Sequence, residues 1–564
     1  MFRHLIEAAL NETERGFQGL ARRYPRLEPL LASDELRAFA QWVAFALASI
    51  DEQRHDDHQG MLRALVAQAF PQCLRPRPSS TILQLAADRS HAGDLLGTVF
   101  RGRAGALEMP FRVMWSITPT PFEMADARVE RIHAKLQVLR ITLVGREGIV
   151  LGGVLPERVR FFVHPGDEAD GRGVRTALDL IHALRTADNL EVDAFDGEGN
   201  VSHIRLPAGS LRWVRIDTEE PSLLSAPRGR FRSSTLLTDL CAFPESFSFF
   251  EIDLGPVRSP KTTRIELTLP LARVVDAASS FHRENLRLFC VPATNEYVAP
   301  IEPLRAERGP EWELLVAQRP HAEILHVRSI HTESARGRFD VVSLEAPDRP
   351  LTFAAGHHYY LLKQTIARDE SRTEMRLTFA ARQGFRAPAP AALTLGEVLA
   401  SDGLRTESLG LRDIGGRNIT RVTPSHRAIL QGLAMRMNAF ARMSPHRFAE
   451  PAHLREFVRL HEPPNPRERR IRLPEILEMH HERESRMQPG AEWEQGDHFQ
   501  LTVDGSASVG EMWLLREILS RALTERQNRL RFSRLTLERS GTHPTKDFTN
   551  YDAREGERHA APLG

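Results

Sequence analysis

The run Leu237-Thr238-Asp239-Leu240-Cys241-Ala242-Phe243-Pro244-Glu245-Ser246-Phe247-Ser248-Phe249-Phe250-Glu251-Ile252 carries the reading of this chain. Four phenylalanines, Phe243, Phe247, Phe249 and Phe250, fall within eight positions. Removing each from water is worth about 1.5–3 kcal/mol, so a segment holding four of them belongs in the interior. The composition predicts a core strand, a structural element rather than a surface that binds a partner directly.

Upstream of this run the apolar residues recur every second position, the period of a half-buried strand. Thr81-Ile82-Leu83-Gln84-Leu85 begins the pattern. Between Ile132 and Leu143 the apolar positions are Ile132, Ala134, Leu136 and Val138, then Leu139, Ile141 and Leu143. That slip of one residue predicts a bulge or a bend between two short strands. Val159–His164 reads as a strand, Ala177–Leu184 as a short helix and Leu190–Phe195 as a strand, with further strands at Ile204–Leu206, Leu211–Ile216 and Arg264–Leu269. Residues 80–330 are thereby predicted to be β-rich and sandwich-like. More strands over 322–380 make 331–424 a further β-rich region, with Arg386-Ala387-Pro388-Ala389-Pro390 as a connection.

Before Ser80 the period is that of a helix. Leu5, Ile6, Ala9, Leu10, Phe17, Leu20 and Ala21 line one face up to Tyr24-Pro25. After Ser33-Asp34, a helix-start signal, a second helix carries Leu36, Phe39, Val43, Leu47 and Ile50 on one face and Trp42 and Phe45 on the other. A helix apolar on most of its circumference is buried on several sides, and residues 1–79, read as a helical bundle segment, supply no obvious partner for all of them. Leu62 and Leu65, in a third helical stretch from Met61 to Phe70, extend the surface. These residues are the expected subunit interface, and self-association is expected of the isolated chain.

At the other end helices return from Ser425, over Ala428–Met437 and Leu454–Leu460. The chain then runs through a strand at His498–Val503, a helix from about Glu511 to Glu525 with Leu514, Leu515, Ile518, Leu519 and Leu523 on one face, and a strand at Phe532–Leu537. Residues 425–541 are thus expected to form an α+β domain, and 542–564 a polar, partly disordered tail. The expected fold class is α+β and multidomain.

Seventy-five Lys and Arg face 74 Asp and Glu, a net charge of +1 over 564 residues, so no field of one sign draws nucleic acid or an anionic membrane. Cys73, Cys241 and Cys290 are far apart, which argues against a disulfide framework or a thiolate zinc site. The opening Met-Phe-Arg-His-Leu-Ile-Glu does not read as a secretory signal, and no window approaches the roughly 18 apolar residues of a membrane span. A cytoplasmic location without membrane insertion is expected.

Motifs for chemistry are missing: no P-loop, no His-Glu-x-x-His and no Gly-x-Ser-x-Gly. Gly145-Arg146-Glu147-Gly148 with Gly152-Gly153 reads as two close turns rather than a dinucleotide loop. His55 and His58 stand among Asp51, Glu52, Asp56 and Asp57, residue types that ligate divalent ions, yet charges between two apolar helices read as a solvated turn. His357-His358 and His480-His481 are adjacent pairs, and neighbours do not share a face. No catalytic, cofactor-binding or metal-ligating residue is assigned.

The Phe243–Phe250 run closely resembles the central Phe-Pro-Glu-(Lys/Ser)-Phe-x-Phe-Phe segment of TssF, the baseplate subunit family of the bacterial type VI secretion system. Arg23-Tyr24-Pro25, the acidic pair Asp56-Asp57, the exit Phe70-Pro71 to Pro76, Leu286–Asn295 and the closing strand–helix–strand are similar to the same family in order. One departure precedes the last helix, where the family has consecutive glycines and this chain has Asp504-Gly505-Ser506-Ala507-Ser508-Val509-Gly510. The resemblance implies a structural wedge subunit with Phe243, Pro244, Phe247, Phe249 and Phe250 in structural roles. It implies two copies of this chain with one TssG-like subunit, TssK on the wedge, TssE toward the sheath, a central spike hub and recruitment to the inner-membrane complex through partners. A wedge protein of another contractile injection particle or phage tail is an alternative. A carbohydrate-active hydrolase is the reading from a different class, against which the 7% aromatic content counts.

Overall fold

The protein is seen as a computed structural model, which describes residues between 75 and 540 apart from internal stretches, together with a few positions in 15–24 and residues 554 and 555. The longer undescribed internal stretches are 165–171, 224–231, 344–357, 381–392, 403–416, 424–450 and 463–470. The expected helical bundle segment, with Leu36, Phe39, Trp42, Val43, Phe45, Leu47, Ile50, Leu62 and Leu65, lies outside the described residues. His55, His58 and the helix expected at 428–437 lie outside them too.

What is described is a multidomain α+β protein dominated by sheets. A five-stranded antiparallel sheet runs in the order Val99–Ala104, Leu107–Val113, Cys290–Thr294, Ser80–Gln84, Arg417–Asn418. Facing it is a four-stranded antiparallel sheet in the order Leu286–Leu288, Arg158–Val163, Phe249–Asp253, Leu211–Trp213. A second five-stranded sheet follows the order Phe122–His133, Leu136–Gly145, Thr262–Leu271, Leu190–Asp196, Val201–Leu206. An eight-stranded sheet gathers strands from Tyr297–Pro300 to Leu393–Ser401, and one of them, Glu323–Ser334, runs through residue 330.

Local sequence explains these elements. In Thr262–Leu271 the alternating Ile265, Leu267, Leu269 and Leu271 are buried, whereas Arg264, Glu266 and Thr268 lie less covered on the other face. The expected bend lies at Ala134-Lys135, where the chain reverses between two long strands beside a register irregularity between Arg131 and His133; Val138-Leu139 itself is no bulge, because Gln137–Val144 pairs in unbroken register with Arg264–Leu271. Val138 and Leu139 are both buried because this strand end is covered on both faces, so alternation fails there without any insertion.

Four helices position the core: α1 Arg172–Arg185, α2 Arg232–Ala242, α3 Pro451–His461 and α4 Val509–Thr524. Helix α4 starts on a reciprocal cap, Glu511 N–H donating to Ser508 Oγ at 3.2 Å and Ser508 N–H to Glu511 Oε2 at 2.8 Å. It links the parallel strands Trp493–Val503 and Arg531–Arg539, a strand–helix–strand crossover that antiparallel neighbours would not need. Gly510 crosses α1 so closely that a Cβ there would lie 2.5 Å from the Leu178 carbonyl. This one glycine, in the first turn of α4, makes the close approach although the stretch before it lacks consecutive glycines. Asp179 secures the crossing by accepting from Gly510 N–H at 2.6 Å.

Candidate functional site

The four phenylalanines expected in the core are all buried, but the segment is more than a strand. It is the end of α2, a 3₁₀ turn at Pro244–Phe247 and the strand Phe249–Asp253. The turn arises where Pro244 takes the first position, with its fixed φ and missing N–H suited to a helical start. Successive residues of the strand point to opposite faces, so Phe249 enters the core between the first two sheets while Phe250 enters the core beneath the helices. Phe243 joins the former and Phe247 the latter. The motif is therefore a wedge driven between two cores.

On each face the rings continue across the sheet. Phe249 lies opposite Phe162 with centroids 4.6 Å apart, and Trp115 meets Phe249 edge-on at 5.1 Å. On the other face Phe161 stacks on Phe250 at 5.1 Å, Trp213 is paired with Phe250, and Trp513 of α4 stacks on Trp213 at 4.8 Å. Such pairs contribute about 0.5–1.5 kcal/mol each beyond their burial. Trp213 Nε1–H donates to Phe247 O at 2.7 Å, so its one polar atom is satisfied.

Behind the motif sits a buried ion pair. Arg215 is 1% exposed, has φ +73 and donates from Nη2 to Asp239 Oδ2 at 2.5 Å. Its guanidinium lies 4.9 Å from the Phe247 ring and 5.8 Å from Trp115. Asp239 also accepts from Ser222 Oγ at 3.1 Å. The adjacent residue of α2 is tied to α3, with Thr238 Oγ1 2.5 Å from His461 Nδ1. The start of α2 is held by Glu525, which accepts from Ser233 N–H at 3.0 Å and Ser233 Oγ–H at 2.6 Å. Nothing here presents a nucleophile or an open acid–base pair to solvent. The arrangement can lock elements together.

Sequence reasoning missed Arg215 and Asp239. Arg215 falls in a run read as strand Leu211–Ile216, whereas the strand ends at Trp213 and Arg215 follows in a turn. The available signal was a lone carboxylate, Asp239, inside the apolar helical run Leu236–Cys241, because a charge placed there needs a partner. The two glycine pairs are a turn and a short helical turn, at Arg146–Gly148 and Leu151–Val154. His480 and His481 sit in strand Ile476–Met487, and His481 Nε2 lies 2.9 Å from Asp497 Oδ1 while its ring stacks on Phe499. His481 is thus anchored to a buried carboxylate as well as facing solvent. Cys241 and Cys290 are buried, and burial pushes the Cys290 thiol well above its ordinary range. Among the described residues no group of three or more His, Cys, Asp or Glu is placed to hold a metal.

The family model for TssF of the type VI secretion system matches residues 40–558. This chain belongs to the TssF family. Type VI secretion system component TssF1 of Pseudomonas aeruginosa is 26% identical over 284 residues, 45% of this chain. That alignment spans 43% of the relative, less than half its length. Among solved structures, a chain of the TssK-TssF-TssG baseplate subcomplex matches with a TM-score of 0.69 at 20% identity, over 89% of this chain and 96% of that one. A chain of the type VI secretion system baseplate complex matches at 0.54 and 17% identity, over 95% and 97%. At those identities the likeness is one of fold. In this TssF-family chain the Phe-Pro-Glu-Ser-Phe-Ser-Phe-Phe motif is a structural joint.

Proposed function

We propose that the chain is a structural wedge subunit of a type VI baseplate and has no catalytic activity. Two copies join one TssG-like subunit, TssK binds the wedge, TssE connects it to the sheath, and the wedges surround the spike hub. It works on the cytoplasmic side and reaches the inner-membrane complex through these partners. The observation that carries this reading is the family match from residue 40 to residue 558. The two-core motif, which uses its conspicuous aromatic residues for packing, supports it. No helix among the described residues is long and apolar enough to cross a membrane.

The joint to the TssG-like subunit is assigned to the N-terminal helices, through Leu36, Phe39, Trp42, Val43, Phe45, Leu47, Ile50, Leu62 and Leu65. The support is their sequence pattern, apolar on more sides than one short bundle covers. Leu47→Asp places a carboxylate in an apolar seam, and an unpaired buried charge costs several kcal/mol. The variant is expected to keep its sheet signature in circular dichroism while losing co-purification with the TssG-like partner and sheath assembly in cells. Leu47→Met, of similar volume, is expected to behave as wild type. Retention of partner and sheaths by Leu47→Asp would show that these helices are not the joint.

A further inference from the structure

A cleft of about 520 Å³ opens where the first three sheets meet. Phe122, Met124, Leu286 and Leu288 give it an apolar floor. Leu286–Leu288 and Phe122–His133 are each the end strand of their sheet, and Phe289, at φ +56, turns the chain from one sheet into the next. Charge gathers on the rim. Arg146 lies 3.5 Å from Glu123, and Glu284 lies 4.0 Å from His282. Arg283 and Arg287 line the same cleft with no carboxylate at ion-pair distance among the described residues, and Arg287 Nε is buried without a hydrogen-bond partner. A buried guanidinium N–H without an acceptor is costly, and a carboxylate is the acceptor that guanidinium groups lining one cleft hold best.

We propose that this cleft seats an extended, carboxylate-bearing segment of a partner protein, its apolar side chains on the floor and a carboxylate between Arg283 and Arg287. The cleft lies between two end strands, Leu286–Leu288 and Phe122–His133, whose edges an extended segment can follow. The half-apolar lining favours a peptide over a bare anion. The proposal rests on the assembly role argued above.

The test places a photoreactive benzoylphenylalanine at Glu284 in the full-length chain within assembling cells, with the same probe at the exposed Val298 as reference. The expected product is a crosslink to a partner segment containing Asp or Glu. Arg283→Glu with Arg287→Glu should reduce its yield about tenfold, as loss of two charge-assisted contacts implies. Arg283→Glu alone changes an exposed side chain and should give a partial fall in a chain that folds normally. The proposal is overturned by no crosslink above the Val298 reference, by a crosslinked segment without carboxylates, or by a yield indifferent to charge reversal. Sheaths and TssG-like co-purification are scored in the same cells: their presence without the crosslink rejects the cleft alone, and the loss of co-purification in the probe-bearing wild type rejects the assembly reading.

Discussion

The eight-stranded sheet between residues 297 and 401 and the body around the phenylalanine motif keep their interiors in different ways. The sheet's core is drawn from Ala299 to Ala400 alone, with Leu377, Val398 and Trp312 at its centre. The body's main core mixes residues 122–288 with residues 454–537, so that Trp213 stacks on Trp513 and Gly510 rests on α1. A module with its own core opens and closes by itself. An interior made from two distant parts of the chain forms only when both are in place, and loop closure makes that slow. The body is therefore expected to unfold as one unit and the eight-stranded sheet, here called the wing, as another.

The largest expected effect separates the two. Asp239→Ala leaves Arg215 buried without its partner, which costs about 3–5 kcal/mol. In calorimetry the body's transition should fall steeply while the wing's stays in place. The counterpart is Leu377→Ala, a fully buried wing residue whose truncation costs about 2–5 kcal/mol. It should lower the wing's transition and spare the body's. If either variant moves both transitions together, the two regions are one cooperative unit and the contrast fails.

A smaller effect is expected at the attachment, where the chain leaves the body at Asn295 and returns at Asp402. Asp402 accepts from Asn295 Nδ2 at 3.0 Å, Tyr297 OH at 2.9 Å and Arg319 Nη1 at 2.6 Å. Asn295 Oδ1 accepts from Ser401 Oγ at 2.9 Å and Asp402 N–H at 2.7 Å. Burial and the Asp402 carboxylate raise the Tyr297 phenol, which therefore remains a donor at neutral pH. Asp402→Ala strips three donors of their acceptor, a cost of about 1–3 kcal/mol. Hydrogen exchange should speed up around residues 295–297 and 401–402 while the centres of both regions stay protected. Unchanged exchange there would move the joint elsewhere.

The sequence made some of this contrast visible. Period-two runs located the strands of the body, and the closing strand–helix–strand was legible because its hydrophobic faces are regular. Strands were expected on both sides of residue 330, but their union in one sheet and the order of that sheet were not readable. Gly337–Ser343 pairs in parallel with His358–Ile366, and such register lies in long-range contacts that periodicity does not encode. The phenylalanine run was legible as interior. Its division between two cores was hidden in the 3₁₀ turn, which reverses which face each ring takes. Arg215 was hidden by its apolar neighbours Val214 and Ile216.

The effect that is smallest at neutral pH grows only in acid and sharpens the comparison. His182 of α1 is buried in the body beside Trp513, and its Nδ1 has no hydrogen-bond partner. Burial first, then the nearby Arg273, Arg185 and Arg516, lowers its pKa to about 3. An unfolded histidine takes up its proton near pH 6.5. Between pH 6.5 and about 3 the unfolded chain therefore binds the extra proton. Stability from this group is full above pH 6.5 and falls with pH, by about 1.4 kcal/mol per unit. His326, in wing strand Glu323–Ser334, has its pKa lowered to about 4 by burial and by Arg75 and Arg328. Its window is the shorter one, from pH 6.5 to about 4. Carboxylates titrate in the same range, so the informative quantity is the difference between wild type and variant. His182→Gln should flatten the acid slope of the body's transition and leave the wing's slope unchanged, and His326→Gln should do the converse. If His182→Gln flattens the wing's slope instead, the body does not hold its interior independently of the sheet.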